Sequence, residues 1–356
     1  MATPATTTAL VGAGSIARAH LTGLLRLSGV RVVGVCDLSR GLAEATAEEF
    51  GIARAYTDFA QMLAELSPQV VHVTTSPASH YPLARAAVDA NAHVFVEKPI
   101  TASRSELDAL LEHAKARQLH VVEDHNYVFQ GSVQQILAWL REGRFGTVQH
   151  AEVSLHVDHA GPGSRYLESG YRHPSFDLPG GVIGEYLPHV ASLLLPFVGA
   201  HRAVHLVPKR SATSPFPYDG LFALIEGERA SASVSIHLRA APDGFSLRVE
   251  GTRMRALAGL FEPLLAVEEL RGGPRPLVPL RTHLAAARAQ LTAGARGLWG
   301  RLGSSPPVFE GLWTLERRFY EALARGGPPP ISPGEIVGVH ALAAALVPRE
   351  GSSCSS

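Results

Sequence analysis

The stretch Thr7–Ala17, TTALVGAGSIA, decides the fold. Thr7–Val11 is short, apolar and rich in β-branched residues, the composition of a buried strand. Gly12-x-Gly14-x-x-Ala17 follows at once, and a helical pattern runs from Ala17 to Leu27. A glycine turn set between a strand and a helix is the arrangement that holds a pyrophosphate. Gly12 permits the tight turn, Gly14 lets the backbone approach a phosphate, and small Ala17 lets the helix pack on the strand. The free N–H groups around Ser15 and Ile16, at the positive end of the helix dipole, face the anion.

Working outward, Val30–Cys36 is a second apolar strand, and it ends in Asp37, 23 residues beyond Gly14. A carboxylate there accepts hydrogen bonds from both ribose hydroxyls and repels a 2′-phosphate, which favours NAD(H). Arg40 lies close enough to hold a 2′-phosphate, so NADP stays open. Helical patterns at Arg40–Phe50 (stopped by Gly51), Asp58–Leu66, His80–Ala90 and Ser103–Arg117 alternate with strands at Val70–Thr74, His93–Val96 and His120–Glu123. The Ser103-x-x-Glu106 spacing is a capping box. Continuously apolar strands alternating with helices predict a doubly wound parallel sheet, an α/β Rossmann domain over residues 1–125.

The pattern changes beyond it. Val133–Leu140 reads as a helix, Val148–Val157 as a strand, Gly161–Gly181 as a long loop and Glu185–Val198 as a helix. Pro188 should make the first turn of that helix irregular. Strands are expected at Ala203–Val207, Gly220–Glu226, Ala230–Leu238 and Phe245–Glu250, with two more short ones after them. Strands in succession predict an α+β domain with one large, mostly antiparallel sheet over residues 126–330. Leu284–Leu302 is an Arg/Ala/Leu-rich helical stretch, read as a solvated insertion, a subunit contact or a lid. Helices at Phe309–Arg325 and Glu335–Leu346 follow, and residues 331–356 are expected to return to the first domain and end in a frayed tail.

Composition removes whole classes of function. The 356 residues carry 32 Lys+Arg and 32 Asp+Glu, and 46% are apolar. Zero formal charge argues against a nucleic-acid partner, and that much apolar material argues against disorder. The longest apolar run, Val190–Val198, is too short to span a bilayer, and no signal-peptide pattern opens the chain. Cys36 and Cys354 form no framework, which suits a reducing, cytoplasmic compartment. No His spacing demands a metal, so none is expected.

Phe95-Val-Glu97-Lys98-Pro99 closes a predicted strand, and ligands of open parallel sheets bind at those ends. A residue before proline is held extended, so Lys98 is aimed by a stiff turn. Such an amine can pass a proton to or from an alcohol oxygen while hydride moves; the plainer reading is a solvated turn lysine.

VGAGSIARAH, VVGVCD, TTSPASHYPLARAAVDANAHVFVEKPI and GGVIGEYLPH together resemble the glucose-fructose oxidoreductase / inositol dehydrogenase / rhizopine-catabolism (Gfo/Idh/MocA) family of oxidoreductases. The resemblance implies a nicotinamide cofactor in a cleft between two domains, and homodimers or homotetramers formed through the C-terminal sheet. It places Lys98 at the substrate oxygen with Glu97 beside it, and Thr75, Ser76, Pro77 and His80 on the cofactor side. His80 serves equally as a helix cap. In Gly180-Gly181-x-x-x-Glu185-x-x-x-His189, His189 matches the family's proton-transferring histidine, and Glu185 stands where Asp is usual. Four residues apart on a helix, the two share a face. A histidine that merely packs the helix start is the alternative. Arg172, in the Tyr171-Arg172-His173 segment, forks onto sugar hydroxyls or makes a structural ion pair. Asn126 follows the last Rossmann strand, where the family's nearby Arg is missing. Tyr166, in the polar loop with His156, Asp158, His159 and Arg165, either shapes a substrate pocket or lies on the surface.

The leading expectation is therefore hydride transfer between NAD(H) and a secondary alcohol or ketone of a sugar, cyclitol or related polyol. Two others stand beside it. One is a redox-neutral enzyme that oxidises a sugar carbon transiently with tightly held NAD. The other is a nucleotide-dependent sensor on the same fold.

Overall fold

The structure is a computed structural model and describes residues 5–168, 170, 172–262, 264–269, 277–302 and 309–348. Tyr171, Cys354 and the GSSCSS tail lie outside the described residues. The chain divides into two compact units, Met1–Asn126 with Leu312–His340, and Tyr127–Gly311 with Ala341–Ser356.

In the first unit, strands β1 (Thr6–Val11), β2 (Val30–Cys36), β3 (Ala55–Tyr56), β4 (Val70–Val73), β5 (His93–Val96) and β6 (Val121–Glu123) pair in parallel in the order β3-β2-β1-β4-β5-β6. Helices α1 (Ser15–Leu24), α2 (Arg40–Phe50), α3 (Phe59–Leu66), α4 (His80–Asp89) and α5 (Arg104–Ala116) join them. All four residues of β4 are fully buried, as a strand covered on both faces requires. Local chemistry fixes the helix ends. Ser39, Asp58 and Ser103 each accept an N–H of the first turn, and Gly51 ends α2 in the left-handed region at φ 65°. The capping box is shifted by one residue, because Glu106 reaches back to the Ala102 N–H. Helix α1 runs from Ser15 to Leu24, starting two residues and ending three residues earlier than its apolar pattern suggested. The two-residue β3 carries no periodicity of its own and was not foreseen.

In the second unit, α6 (Gly131–Arg141) precedes β7 (Val148–Asp158) and α7 (Leu187–Val198). Then come β8 (His201–Lys209), β9 (Gly220–Gly227), β10 (Ser231–His237), β11 (Arg239–Gly251), β12 (Met254–Gly259), β13 (Leu265–Glu269) and α8 (Val278–Leu302). Their sheet runs β13-β12-β11-β7-β10-β9-β8. It is mixed, since β7 and β10 pair in parallel with Ser231 opposite His150 and His237 opposite His156. Helix α7 packs on β7 and β10 over one face. On the other, Val207, Phe222 and Leu224 stay exposed. Helix α9 (Glu310–Arg325) and helix α10 (Pro333–Ala345) complete the chain.

Candidate functional site

The strand order brings the carboxyl ends of β2, β1, β4 and β5 side by side. Gly12 sits at φ +97°, and a Cβ there would lie 2.7 Å from the Thr74 carbonyl and 2.8 Å from the Thr75 nitrogen. Only glycine lets β1 and β4 approach so closely. Gly14 is the opposite case. It caps α1 in extended backbone, and nothing lies within 4 Å of the place a Cβ would take. Gly14 and Ser15 are exposed and Ile16 half-buried, while Ala17 is fully buried against Leu10, Ala13, Leu21 and Val35. The turn therefore presents open backbone N–H groups on a rigid base, which fits a pyrophosphate.

Asp37 is held from both sides. Its Oδ2 accepts the Ala13 N–H at 2.8 Å and its Oδ1 the Ser39 N–H at 2.8 Å. Each carboxylate oxygen keeps a further lone pair for a ribose hydroxyl. Arg40 points to solvent and pairs with Glu44 at 3.5 Å.

The segment after β4 is tied down from below. The Thr74 hydroxyl donates to the Gly12 carbonyl at 2.8 Å, and Ser79 Oγ bonds Thr75 Oγ1 at 2.8 Å. Ser76 remains exposed, and Pro77 opens a 3-10 turn, Pro77–Ser79. His80 is fully buried, with Nδ1 2.8 Å from the Pro99 carbonyl and Nε2 3.0 Å from the Thr75 carbonyl. It clamps the Thr75 segment to the Lys98–Pro99 turn, and both its nitrogens are spent on backbone. Lys98 is half-buried. Glu97 turns inward: Oε2 accepts the Lys98 N–H at 3.2 Å, and Oε1 faces His20 Nε2 at 3.1 Å. Burial and the neighbouring Glu97 push the Asp124 carboxyl well up. Asn126, half-buried, opens a 3-10 turn just beyond β6.

In the second unit, Gly180 and Gly181 both take left-handed backbone, at φ 82° and 62°, and lead into a 3-10 turn, Gly181–Glu185. Helix α7 starts only at Leu187, with Pro188 in its first turn, where no helical carbonyl opposes the ring. Glu185 and His189 thus do not share the face of one helix, contrary to the spacing argument. Glu185 Oε2 accepts the Tyr166 hydroxyl at 2.9 Å and the Ser175 hydroxyl, and Oε1 lies 3.2 Å from Arg165 Nη2. Burial and then the Glu185 charge push the Tyr166 phenol up to about 12, which keeps it a donor. Tyr166 is 3% exposed, and its ring lies between those of His159 and His173. Burial holds His159 below its ordinary value. His189, 7% exposed, meets the Tyr127 ring edge-on at 4.8 Å. Arg172 makes the ordinary ion pair, donating to Asp177 Oδ1 at 2.9 Å on the surface.

Residues 6–125 match the oxidoreductase family with an NAD-binding Rossmann fold, Gfo/Idh/MocA. The match covers the strands and helices of the parallel sheet in the first unit. Inositol 2-dehydrogenase of Salmonella typhimurium is 36% identical over 105 residues, 29% of this chain and 31% of the relative. Glycosyl hydrolase family 109 protein 2 of Akkermansia muciniphila is 28% identical over 155 residues, 41% of this chain and 33% of the relative. The chain spans about a third of the length of these curated relatives. The fold likeness is longer. The WlbA dehydrogenase from Bordetella pertussis, solved with NADH and UDP-GlcNAcA, superposes with a TM-score of 0.75 over 97% of this chain and 95% of its own, at 15% identity. No helix among the described residues is long and apolar enough to cross a membrane.

Sequence reasoning on the first unit missed the groups behind the Lys98 turn: His20, His72, Asp124, Glu316 and Tyr320. Two signals were available. His72 interrupts an apolar strand, and Glu316 stands among Leu312, Leu315 and Phe319, all fully buried on α9.

Proposed function

We propose that the protein is an NAD(H)-dependent oxidoreductase acting on a CH–OH carbon of a sugar, cyclitol or related polyol. The observation that carries this reading is the shared strand edge: the open turn at Gly14, the bracketed carboxylate of Asp37 and the aimed Lys98 close neighbouring strands of one sheet. The N–H groups opening α1 bind the pyrophosphate, and Asp37 takes the ribose hydroxyls and disfavours a 2′-phosphate. The bound dinucleotide supplies the hydride acceptor or donor. Thr75, Ser76 and Pro77 border the ring. Lys98 Nζ takes the substrate's hydroxyl proton in the oxidising direction and returns it in the reducing one. His189 and Glu185 are assigned the second unit's share of proton transfer and hydroxyl binding, on the strength of the glycine-glycine pattern. Tyr166 and Arg165 hold Glu185 in place. The exposed Val207, Phe222 and Leu224 support a homodimer or homotetramer through the open sheet face.

A redox-neutral cycle with retained NAD is the second reading, favoured by the likeness to a protein named as a glycosyl hydrolase. One experiment separates the two. The protein is purified without added cofactor, its bound nucleotide identified by mass spectrometry, and reduced-nicotinamide absorbance followed with a polyol and sugar panel. Net absorbance change with added NAD supports the dehydrogenase. Retained NAD with substrate conversion and no net change supports the second reading. Thermal stabilisation by NADP alone overturns the assignment of Asp37.

A further inference from the structure

Behind the Lys98 turn, the first unit buries an unbroken chain of polar groups. From His20 on α1, Nε2 reaches Glu97 Oε1 at 3.1 Å, while Nδ1 lies 3.0 Å from His72 Nδ1 and 3.1 Å from Glu316 Oε1. His72 Nε2 continues to the Tyr320 hydroxyl at 3.0 Å, and Tyr320 to the Thr8 hydroxyl at 2.8 Å. His20, His72, Glu316 and Thr8 are completely buried, Glu97 and Asp124 nearly so.

We propose that His20 and Glu316 are positioning residues for Lys98: their buried ion pair keeps Glu97 a fixed carboxylate, and Glu97 in turn holds the backbone of the Lys98 turn. The inference rests on the reading of Lys98 given above.

Proton bookkeeping supports it. Nε2 of His20 faces the Glu97 carboxylate and must donate. Burial pushes the Glu316 carboxyl up to about 7 and the neighbouring His20 pulls it back; above that pH a lone pair on Nδ1 would face the Glu316 carboxylate at 3.1 Å and be repelled, so Nδ1 also carries a proton. His20 is then an imidazolium. His72, held well down by burial and by the His20 charge, is the neutral acceptor, which leaves its Nε2–H for Tyr320. The electrostatics agree. Burial alone would lower His20, but the bonds to Glu316 and Glu97 raise it to about 10. The groups facing this cation are Glu97 and Asp124 at the strand ends, His72 on β4 and Glu316 on α9, with Tyr320 of α9 one step further, beyond His72.

The placement is built rather than incidental. A Cβ on Gly23 of α1 would fall 2.0 Å from Glu316 Oε2 and 2.4 Å from the Trp313 ring, so glycine there admits the carboxylate. Trp313 Nε1 donates to the Ala19 carbonyl at 2.9 Å and fixes the same helix contact. An apolar side chain at position 316 would satisfy the core without the desolvation penalty of a buried charge. A charge kept there argues for a task, and one chain of bonds leads from it through His20 and Glu97 to the Lys98 N–H at the strand edge.

The test exploits a chain with lysine only at positions 98, 115 and 209. Acetic anhydride labelling of the full-length protein across pH, read by peptide mass spectrometry, gives the Lys98 titration midpoint with exposed Lys115 and Lys209 as internal controls. In His20→Gln, Glu97 loses its cationic support and takes up a proton; in Glu316→Gln, His20 loses the partner that most raises it and gives up its charge, so the same support is lost. The Lys98 midpoint then falls by about half a pH unit or more, and the controls stay put. A Lys98 midpoint unchanged in both variants overturns the proposal. Histidine 15N spectra of the wild-type protein provide a check that needs no variant to fold. One ring is doubly protonated above pH 9 if the ion pair exists, and its absence overturns the proposal too. Neither readout needs turnover. Loss of turnover in Lys98→Met with unchanged midpoints in the two variants sinks this inference alone, whereas full turnover in Lys98→Met sinks the role of Lys98 and this inference with it.

Discussion

The strand edge of the first unit and the Glu185–His189 segment of the second hold their candidate groups in different ways. Lys98 is placed by backbone: its N–H is bonded to Glu97, the adjoining Pro99 carbonyl to His80, and both partners are buried. Glu185 is placed by side chains from one loop, Tyr166, Ser175 and Arg165, the last of them 55% exposed. A site built on strand ends is defined by the sheet. A site built on a loop is defined only when its own polar contacts are made. The first should tolerate changes in its surroundings and fail only at its centre, and the second should respond to each of its supports.

That contrast is sharpest in turnover. Lys98→Met is expected to lower kcat by about 10³-fold, the middle of the range for loss of a proton-transfer group, with NADH affinity changed less than about threefold. Tyr166→Phe, which removes one support of Glu185, is expected to lower kcat/KM by about tenfold, since a hydrogen bond to a charged group is worth about 1.5 kcal/mol or more. Steady-state kinetics on any substrate from the panel measure both. Equal losses would break the distinction between the two regions.

The two glycines of the turn separate folding from binding. Gly12→Ala forces a Cβ into the Thr74 carbonyl at φ +97° and should destabilise the first unit by about 3 kcal/mol, combining left-handed strain with overpacking. Gly14→Ala meets no protein atom and should leave the melting temperature within about 2 °C. It should weaken NADH binding by about tenfold or more, because the methyl group occupies the space proposed for the pyrophosphate. Denaturant unfolding and a fluorescence titration of NADH test the pair. A Gly14→Ala protein that binds NADH normally would remove the phosphate from this turn.

Much of this region is readable in the sequence, and the reasons are local. The bounds of β2, α2 and β5 agree residue for residue with their apolar patterns, because caps such as Ser39 and Gly51 and the β-branched runs sit within a few positions of the ends they set. The network behind Lys98 is not readable. Tyr320 bonds His72 across 248 residues and Thr8 across 312, and no pattern along the chain records which buried polar groups will meet. The second sheet is mostly antiparallel, as its successive strands predict, but the one parallel pairing, of β7 with β10, joins strands some eighty positions apart and leaves no local trace. The helix expected to carry both Glu185 and His189 starts only at Leu187, because the two left-handed glycines lead into a 3-10 turn that ends at Glu185, a conformation that residue identity permits but does not demand.

Stability should record the network through pH. His20 has a folded-state value near 10 against an ordinary 6.5. A group raised on folding stabilises fully below its unfolded value and loses that contribution as pH climbs through the folded one. The wild-type melting temperature should therefore decline between about pH 7 and pH 10 by more than that of His20→Gln, other titrations being common to both. Parallel curves would mean that no imidazolium is buried there. The second unit offers the smallest effect. Arg172 and Asp177 are 67% and 71% exposed in their side chains, so water screens their pair and two long chains lose freedom to make it. Arg172→Ala is expected to change stability by less than about 0.5 kcal/mol. If it instead raises KM for one sugar of the panel severalfold at unchanged kcat, the guanidinium leaves Asp177 to meet substrate, and the loop region would be shown to assemble only around its ligand.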